Sequence, residues 1–240
     1  LCRKVTVMDY RDRHVVVTGG TGALGTAVVE ALLARGAICH VPYSDEQKAQ
    51  RFPHRDHERV KLIAGCNLAD EAGVARAFDG IDELWASIHV AGGFAMGPLA
   101  ETGKAGLMAM IETNLVTCHL CCGAAIRAMT RRGTGGRIVN VAARHALEPR
   151  MGAGMTAYTA SKAGVVALTE ALAQEVADQG ILVNAVAPSI MDTPQNRQAM
   201  PKANHDAWPN VEEVAATILF LASPENRVTR GAVVPVYGRS

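Results

Sequence analysis

HVVVTGGTGALG, residues 14–25, decides the fold. Val15, Val16 and Val17 form an unbroken β-branched run, which predicts a strand buried on both faces, as in a parallel sheet. Gly19 and Gly20 then break the strand. Beyond Gly22 the composition turns Ala-rich and predicts a helix over 23–35, with Ala23, Ala27, Leu32 and Leu33 on its packing side. Gly20, Gly22 and Gly25 stand at G-x-G-x-x-G spacing between the two elements. Glycines so placed permit a tight turn, let backbone approach a pyrophosphate, and close the helix onto the strand. The helix N-terminus then faces the anion. Gly19, Gly20, Thr21, Gly22, Ala23, Leu24 and Gly25 are therefore a candidate dinucleotide cradle.

Outward from this unit the same alternation continues. Apolar runs at 37–41, 60–66, 84–93, 136–142, 181–188 and 232–238 read as strands. The segments 45–58, 103–131, 156–178 and 211–222 read as helices. Alternating strands and helices predict an α/β fold, a single-domain Rossmann-type doubly wound parallel sheet of about seven strands flanked by helices. Ligands of such sheets bind beyond the carboxyl ends of the strands. Residues 1–7 read as an N-terminal extension and 8–240 as the domain.

The composition agrees. The 240 residues are 49% hydrophobic and 20% charged, a balance that excludes a disordered chain and permits a sizeable core. Net charge is +1 with Lys and Arg scattered, so no basic stripe points to nucleic acid or a membrane surface. No stretch reads as an apolar membrane span of about 18 residues, and the charged start shows no secretory h-region. A cytoplasmic location is the expectation. Aromatics are few, at 4%, and the expectation is that they gather near the site. Six cysteines are present. Cys118, Cys121 and Cys122 around His119 invite a metal reading, but no second ligand pair follows at zinc-module spacing. They read as small buried hydrophobes, and no metal is expected.

A second motif is Tyr158-Thr159-Ala160-Ser161-Lys162. At i,i+4 the phenol and the ammonium share a helix face. A cation beside a phenol lowers its pKa from about 10, which would make Tyr158 a proton donor or acceptor near neutral pH.

The glycine cradle, Asn114 in IETNL, the Y-x-x-x-K pair, and NAVAP leading to Pro188 and Thr193 together resemble the short-chain dehydrogenase/reductase family, over essentially the whole chain from Met8. The resemblance implies NAD or NADP as cofactor. It implies Tyr158 as acid/base, Lys162 as the residue that lowers its pKa and holds the nicotinamide ribose, and Asn114 as support for a proton relay. It places Ala91, Gly92 and Gly93 against the cofactor, Asn67 and Leu68 at the adenine, and Pro188, Ile190 and Thr193 at the carboxamide. It also implies a homodimer or homotetramer.

Four departures stand out. Ala143 occupies the slot of the family's catalytic Ser, and His145 two residues on reads as a solvated loop residue. His89 begins a turn where the family has Asn, Asn67 replaces a common Asp, and Ser189 follows Pro188 in place of Gly. The ribose acid expected about 20 residues past the cradle is absent: Tyr43 and Ser44 stand there, with Asp45 just beyond. Tyr43 is a candidate adenosine-pocket residue, and NAD versus NADP stays open. The string Asp192-Thr193-Pro194-Gln195-Asn196-Arg197, with Met200, Pro201 and Trp208, is similar to quinonoid dihydropteridine reductases, whereas IETNL and ASKAG resemble ketoacyl-carrier-protein reductases.

Residues 194–210, polar and broken by prolines, read as a substrate lid. Phe94 and Trp208 join Ala143 and His145 as candidate substrate-pocket residues. The expected function is an NAD(P)-dependent oxidoreductase moving hydride between nicotinamide and a small carbonyl, alcohol or pterin-like substrate. The competing expectation, motivated by Ala143, is a nucleotide-binding or regulatory protein impaired in turnover.

Overall fold

A computed structural model describes residues 8–240; the extension read at 1–7 lies outside the described residues. Seven parallel strands form one sheet: β1 His14–Thr18, β2 Ile38–Pro42, β3 Val60–Ile63, β4 Leu84–His89, β5 Gly136–Val141, β6 Ile181–Pro188 and β7 Val233–Val236. Their order is β3-β2-β1-β4-β5-β6-β7. The chain reverses its winding between β1 and β4, where a doubly wound sheet opens its ligand crevice.

The period of two along β1 explains its apolar run. Val15 and Val17 pack into one core with Val28 and Leu32 of α1 (Ala23–Leu33) and Ile218 and Leu219 of the C-terminal helix Val211–Ala222. Val16 points into the opposite core, with Cys121, Cys122, Leu172 and Val183. All three valines are fully buried, each contributing about 1.5–3 kcal/mol of transfer free energy. On α1, Leu24, Ala27, Val28, Val29 and Leu32 are buried. Ala23, expected on the packing side, is instead exposed at the helix start.

The charged segment expected to be helical over 45–58 is a short helix, α2 (Glu46–Arg51), ended before Pro53. A helix at Glu71–Phe78, α3, was not anticipated; Asp70 caps it by accepting from Gly73 N at 2.6 Å. The long helix after β4 has three parts: α4 Gly103–Met110, a π-helical turn Ile111–Val116, and α5 Thr117–Arg132. By length and mean hydropathy, 1.3, this run could span a membrane, contrary to the sequence expectation. Its Cys118, Cys121, Cys122, Ala125 and Met129 lie in the core with β4 and β5 residues, the packing of an internal helix. The loop after β5 holds one helical turn, α6 (Arg144–Leu147), before α7 (Thr156–Glu175). The segment read as a lid contains α8 (Pro194–Ala199) and precedes α9, the Val211–Ala222 helix. The aromatics do not gather at the site: Tyr10, Phe52, Phe78 and Trp85 are buried core residues.

Candidate functional site

The cradle follows β1. Gly19 has φ +66°, the left-handed region that L side chains avoid, and a Cβ there would lie 2.7 Å from the Ala91 nitrogen. Thr18 Oγ1 accepts from that same nitrogen at 3.3 Å, which joins the β1 and β4 loops. A Cβ on Gly25 would run into the Gly19 carbonyl oxygen, and one on Gly20 would come 2.8 Å from Val41. Gly22 has ordinary room beside it. The space here therefore demands glycine at 19, 20 and 25, which the spacing counted from Gly20 only partly exposes. Gly22 caps α1 without a side-chain hydrogen bond, so the first-turn N–H groups stay available to an anion.

The β4 loop brings three of the expected residues together. A Cβ on Gly92 would sit 2.7 Å from Asn114 Oδ1 and 3.3 Å from Lys162 Nζ. Asn114 lies on the π-helical turn, a local irregularity common at functional sites. Its Oδ1 accepts from Gly93 N at 2.9 Å, and its Nδ2 donates to Gly93 O at 3.1 Å and Ser161 Oγ at 3.0 Å. Ser161 Oγ in turn donates to Tyr158 O at 2.7 Å, which fixes the first turns of α7 against the β4 loop. Lys162 is buried and donates to Val141 O at 2.8 Å. Burial pushes its ammonium down to about 8.

The Tyr158 phenol is pushed up to about 12 by burial, and no neighbouring cation offsets that. The pair shares a helix, and the ammonium is directed to the β5 carbonyl of Val141. The Tyr158 ring meets Phe94 edge-on at 5.0 Å and His145 at 6.1 Å, interplanar 69°. Ala143, buried, ends the β5 strand segment as N-cap of α6. His145, expected as a solvated loop residue, is half-buried on α6; a one-turn helix has too little periodicity to reveal which side faces inward. Burial, then the Arg144 charge, hold its imidazole below the usual value. Arg144 itself is engaged, with Glu148 at 3.0 Å, the Ser240 carbonyl at 2.9 Å and the Tyr237 ring at 4.6 Å.

Phe94, which meets Tyr158, is exposed, as are the apolar side chains of Met96, Met151 and Ile190. Thr193 caps α8 by accepting from Asn196 N at 3.2 Å. Arg197 is held bidentately by Asp192 at 2.6 and 2.8 Å. Trp208 is buried, its ring tilted against His205 at 4.7 Å. Pro188 ends β6, and Ser189 Oγ donates to Tyr237 O at 2.9 Å. At the β2 end, Tyr43 is half-buried, while Asp45 is occupied as the cap of α2, accepting from Lys48 N at 3.1 Å. Asn67 is exposed and accepts from Ala69 N at 3.2 Å, beside buried Leu68.

The cysteine cluster is organised differently from its sequence pattern. His119 is exposed. Cys118 and Cys122 instead face His89, with ligand-capable atoms within 4.8 Å of one another. His89 Nδ1 donates to Asn140 Oδ1 at 2.8 Å, and its Nε2 pairs with Ser87 Oγ at 2.8 Å. Asn140 Nδ2 donates onward to Thr169 Oγ1 at 2.9 Å. Both imidazole nitrogens are thus engaged, and the group is a satisfied buried polar chain tying β4 to β5 and α7.

Residues 13–204 match the family model described as short chain dehydrogenase. The chain is 32% identical over 254 residues to the 2,3-dihydroxy-2,3-dihydro-p-cumate dehydrogenase of Pseudomonas putida, covering 97% of this chain and 96% of that one. It is 34% identical to the cis-4-hydroxycyclohexanecarboxylate dehydrogenase of Sinomonas cyclohexanicum, over 95% and 96% of the two chains. The solved structure of ElxO with NADP bound superposes with TM-score 0.85 at 26% identity, covering 95% of this chain and 98% of that one.

Proposed function

The chain belongs to the short chain dehydrogenase family, and is an NAD(P)-dependent oxidoreductase acting on a small molecule. From that premise we propose that it interconverts a ring-borne secondary alcohol and its ketone, with Tyr158 as the proton-transferring group. The observation that carries the reading is the half-buried Tyr158 ring against Phe94 and His145, on the helix whose Ser161 bonds Asn114 and whose Lys162 lies with Asn114 beside Gly92.

The cofactor fits the residues present. Glycine at 19 and 92 lets the β1 loop pack against Ala91 and the β4 loop against Asn114, which builds the crevice walls, and the α1 N-terminus offers unpaired N–H groups to a pyrophosphate. Gly19 through Gly25 would hold the phosphates, Tyr43, Asn67 and Leu68 the adenosine, and Ala91, Gly92, Gly93, Lys162, Pro188, Ile190 and Thr193 the nicotinamide half. When bound, the nicotinamide supplies or accepts the hydride. This chain's residues do the rest. Lys162, held by Val141 O, presents its ammonium where Asn114 and Gly92 meet; Tyr158 supplies a proton to the carbonyl oxygen or takes it from the alcohol.

The mouth supports a ring substrate. Phe94, Met96, Met151 and Ile190 offer apolar surface, and Arg197, within the segment read as a lid, is neutralised by Asp192. The two relatives are named for hydroxylated six-membered carbocycles. Absorbance of reduced nicotinamide, followed with cyclohexanone, 4-oxocyclohexanecarboxylate and a quinonoid dihydropterin, tests the reading. Turnover of the cyclohexanones supports it; turnover of the pterin alone replaces it with a dihydropteridine-reductase-like function; cofactor binding with no turnover replaces it with an impaired nucleotide binder.

The β2 end bears on cofactor choice. A carboxylate there accepts from the ribose 2′-hydroxyl and repels a 2′-phosphate. Tyr43 brings no such charge, and Asp45 is spent on its helix cap. Tyr43→Asp is therefore expected to raise the NADPH Kd relative to the NADH Kd by about tenfold, one unfavourable charge contact of about 1.4 kcal/mol. Fluorescence titration with each cofactor checks it, and an unchanged ratio would remove Tyr43 from the adenosine pocket.

A further inference from the structure

A carbonyl being reduced needs a hydrogen-bond donor on its oxygen besides the proton donor, because negative charge develops there as hydride arrives. Ala143 has no donor to give. Most polar groups of the surrounding segments are committed to other partners, and the unbonded hydroxyl of Thr159 is buried away from solvent. Arg144 is bound to Glu148, the Ser240 carbonyl and the Tyr237 ring. Ser189 donates to Tyr237 O, and Asn196 donates to Met191 O. Thr159 points beneath the turn at Gly152, where a Cβ would collide with its hydroxyl, and Thr156 is exposed at the start of α7.

His145 differs from all of these. It stands two residues past Ala143 on the one-turn helix α6, half-buried, with its ring centroid 6.1 Å from that of Tyr158. Neither of its ring nitrogens takes part in a hydrogen bond among the described residues. Phe94 meets the same phenol ring 5.0 Å away, so Tyr158 has one apolar and one polar ring neighbour.

We propose that His145 is a catalytic residue of this site, donating through its ring N–H to the substrate carbonyl oxygen in place of the hydroxyl that Ala143 lacks. The proposal rests on the oxidoreductase reading above and adds the donor which that reading is missing. In the reducing direction the carbonyl carbon gains the hydride and its oxygen gains the Tyr158 proton, which solvent then restores. His145 keeps its own proton throughout and only shares it in a hydrogen bond. Burial and the Arg144 charge favour the neutral imidazole, which has one N–H to donate and one nitrogen to accept.

The test uses the full chain with NADPH and the ketones named above, cyclohexanone first. His145→Phe keeps a ring against Tyr158 and removes the donor. It is expected to lower kcat by about 10²-fold, the scale of losing one oxyanion donor, with the NADPH Kd and the melting temperature unchanged. Adding Ala143→Ser to His145→Phe returns a hydroxyl to the neighbouring position and is expected to recover at least about tenfold of that loss. Three results overturn the proposal alone: His145→Phe within about threefold of the native kcat, a loss accompanied by weaker NADPH binding or a lower melting temperature, or no recovery on adding Ala143→Ser. A native protein that turns over no ketone with either NADPH or NADH overturns the ketone reading, and this proposal with it.

Discussion

Tyr158→Phe is expected to lower kcat for ketone reduction by about 10²–10⁴-fold, the range supplied by a positioned acid or base, with NADPH binding retained. The substitution removes one oxygen. It leaves the ring in place, and the edge-on contact with Phe94 at 5.0 Å and the approach of His145 do not depend on the hydroxyl. Ser161 is bonded to the Tyr158 backbone carbonyl, so the turn of α7 that carries Lys162 also survives. The fold and the cofactor cradle should be untouched, and the loss should fall on kcat alone. The direction of the pH dependence follows from burial, which pushes the phenol up to about 12. At neutral pH Tyr158 is the protonated form, the one that donates to a carbonyl oxygen. Alcohol oxidation needs the phenolate, so oxidation should rise with pH below about 12, while reduction, which needs the phenol, stays level over that range. Steady-state rates in both directions, with a separate NADPH titration, check this. A Tyr158→Phe variant with near-native kcat would exclude the phenol as the proton donor, and a flat pH profile in both directions would exclude its titration from the rate.

The sheet was legible because its strands are unbroken apolar runs. β1 and β6 are read from Val15–Val17 and from 181–188 with little adjustment, since both faces are covered. The strands at 60–66 and 84–93 were read too long; the ladders stop at Ile63 and His89, and the loops that follow carry the close approaches at Gly92 and Gly93. What the sequence could not show is where the head groups go. The i,i+4 spacing puts Tyr158 and Lys162 on one side of α7, but the Val141 carbonyl that takes the ammonium lies on another element. Likewise Cys118 and Cys122 find His89 across the fold and not His119 beside them. The π-helical turn under Asn114 has no local pattern to announce it. It becomes visible only when Asn114 is seen bridging Gly93 and Ser161, and Thr117 Oγ1 donating to Thr113 O at 2.7 Å. α6 is too short for periodicity to orient His145, the same reason its solvated reading failed.

Lys162→Met should separate stability from function. Lys162 is 6% exposed, with no carboxylate partner in its surroundings, and its one hydrogen bond is to the Val141 carbonyl. Burial pulls its pKa from 10.5 down to about 8, so the folded state resists the charge. Stated as linkage, below pH 8 both folded and unfolded chains carry the proton and the full penalty of burying it is present. Between about 8 and 10.5 the unfolded chain binds more protons than the folded one, so the native protein gains stability as pH rises, and loses it again as pH falls through 8. Met fills a similar volume without a charge and lacks this dependence. The stability of the native chain relative to Lys162→Met should therefore improve from pH 7 toward pH 10, read from melting temperatures or urea midpoints of the two proteins side by side. A difference constant over that range would mean that Lys162 is not desolvated as the structure has it. Activity should move independently: with no ammonium beside Asn114 and Gly92, kcat/KM is expected to fall by at least about 10²-fold, even at pH 7 where the variant loses least in stability. A loss of activity without a loss of stability at pH 7 would show that the cation hemmed by Gly92 and fixed by Val141 serves the chemistry and not the fold.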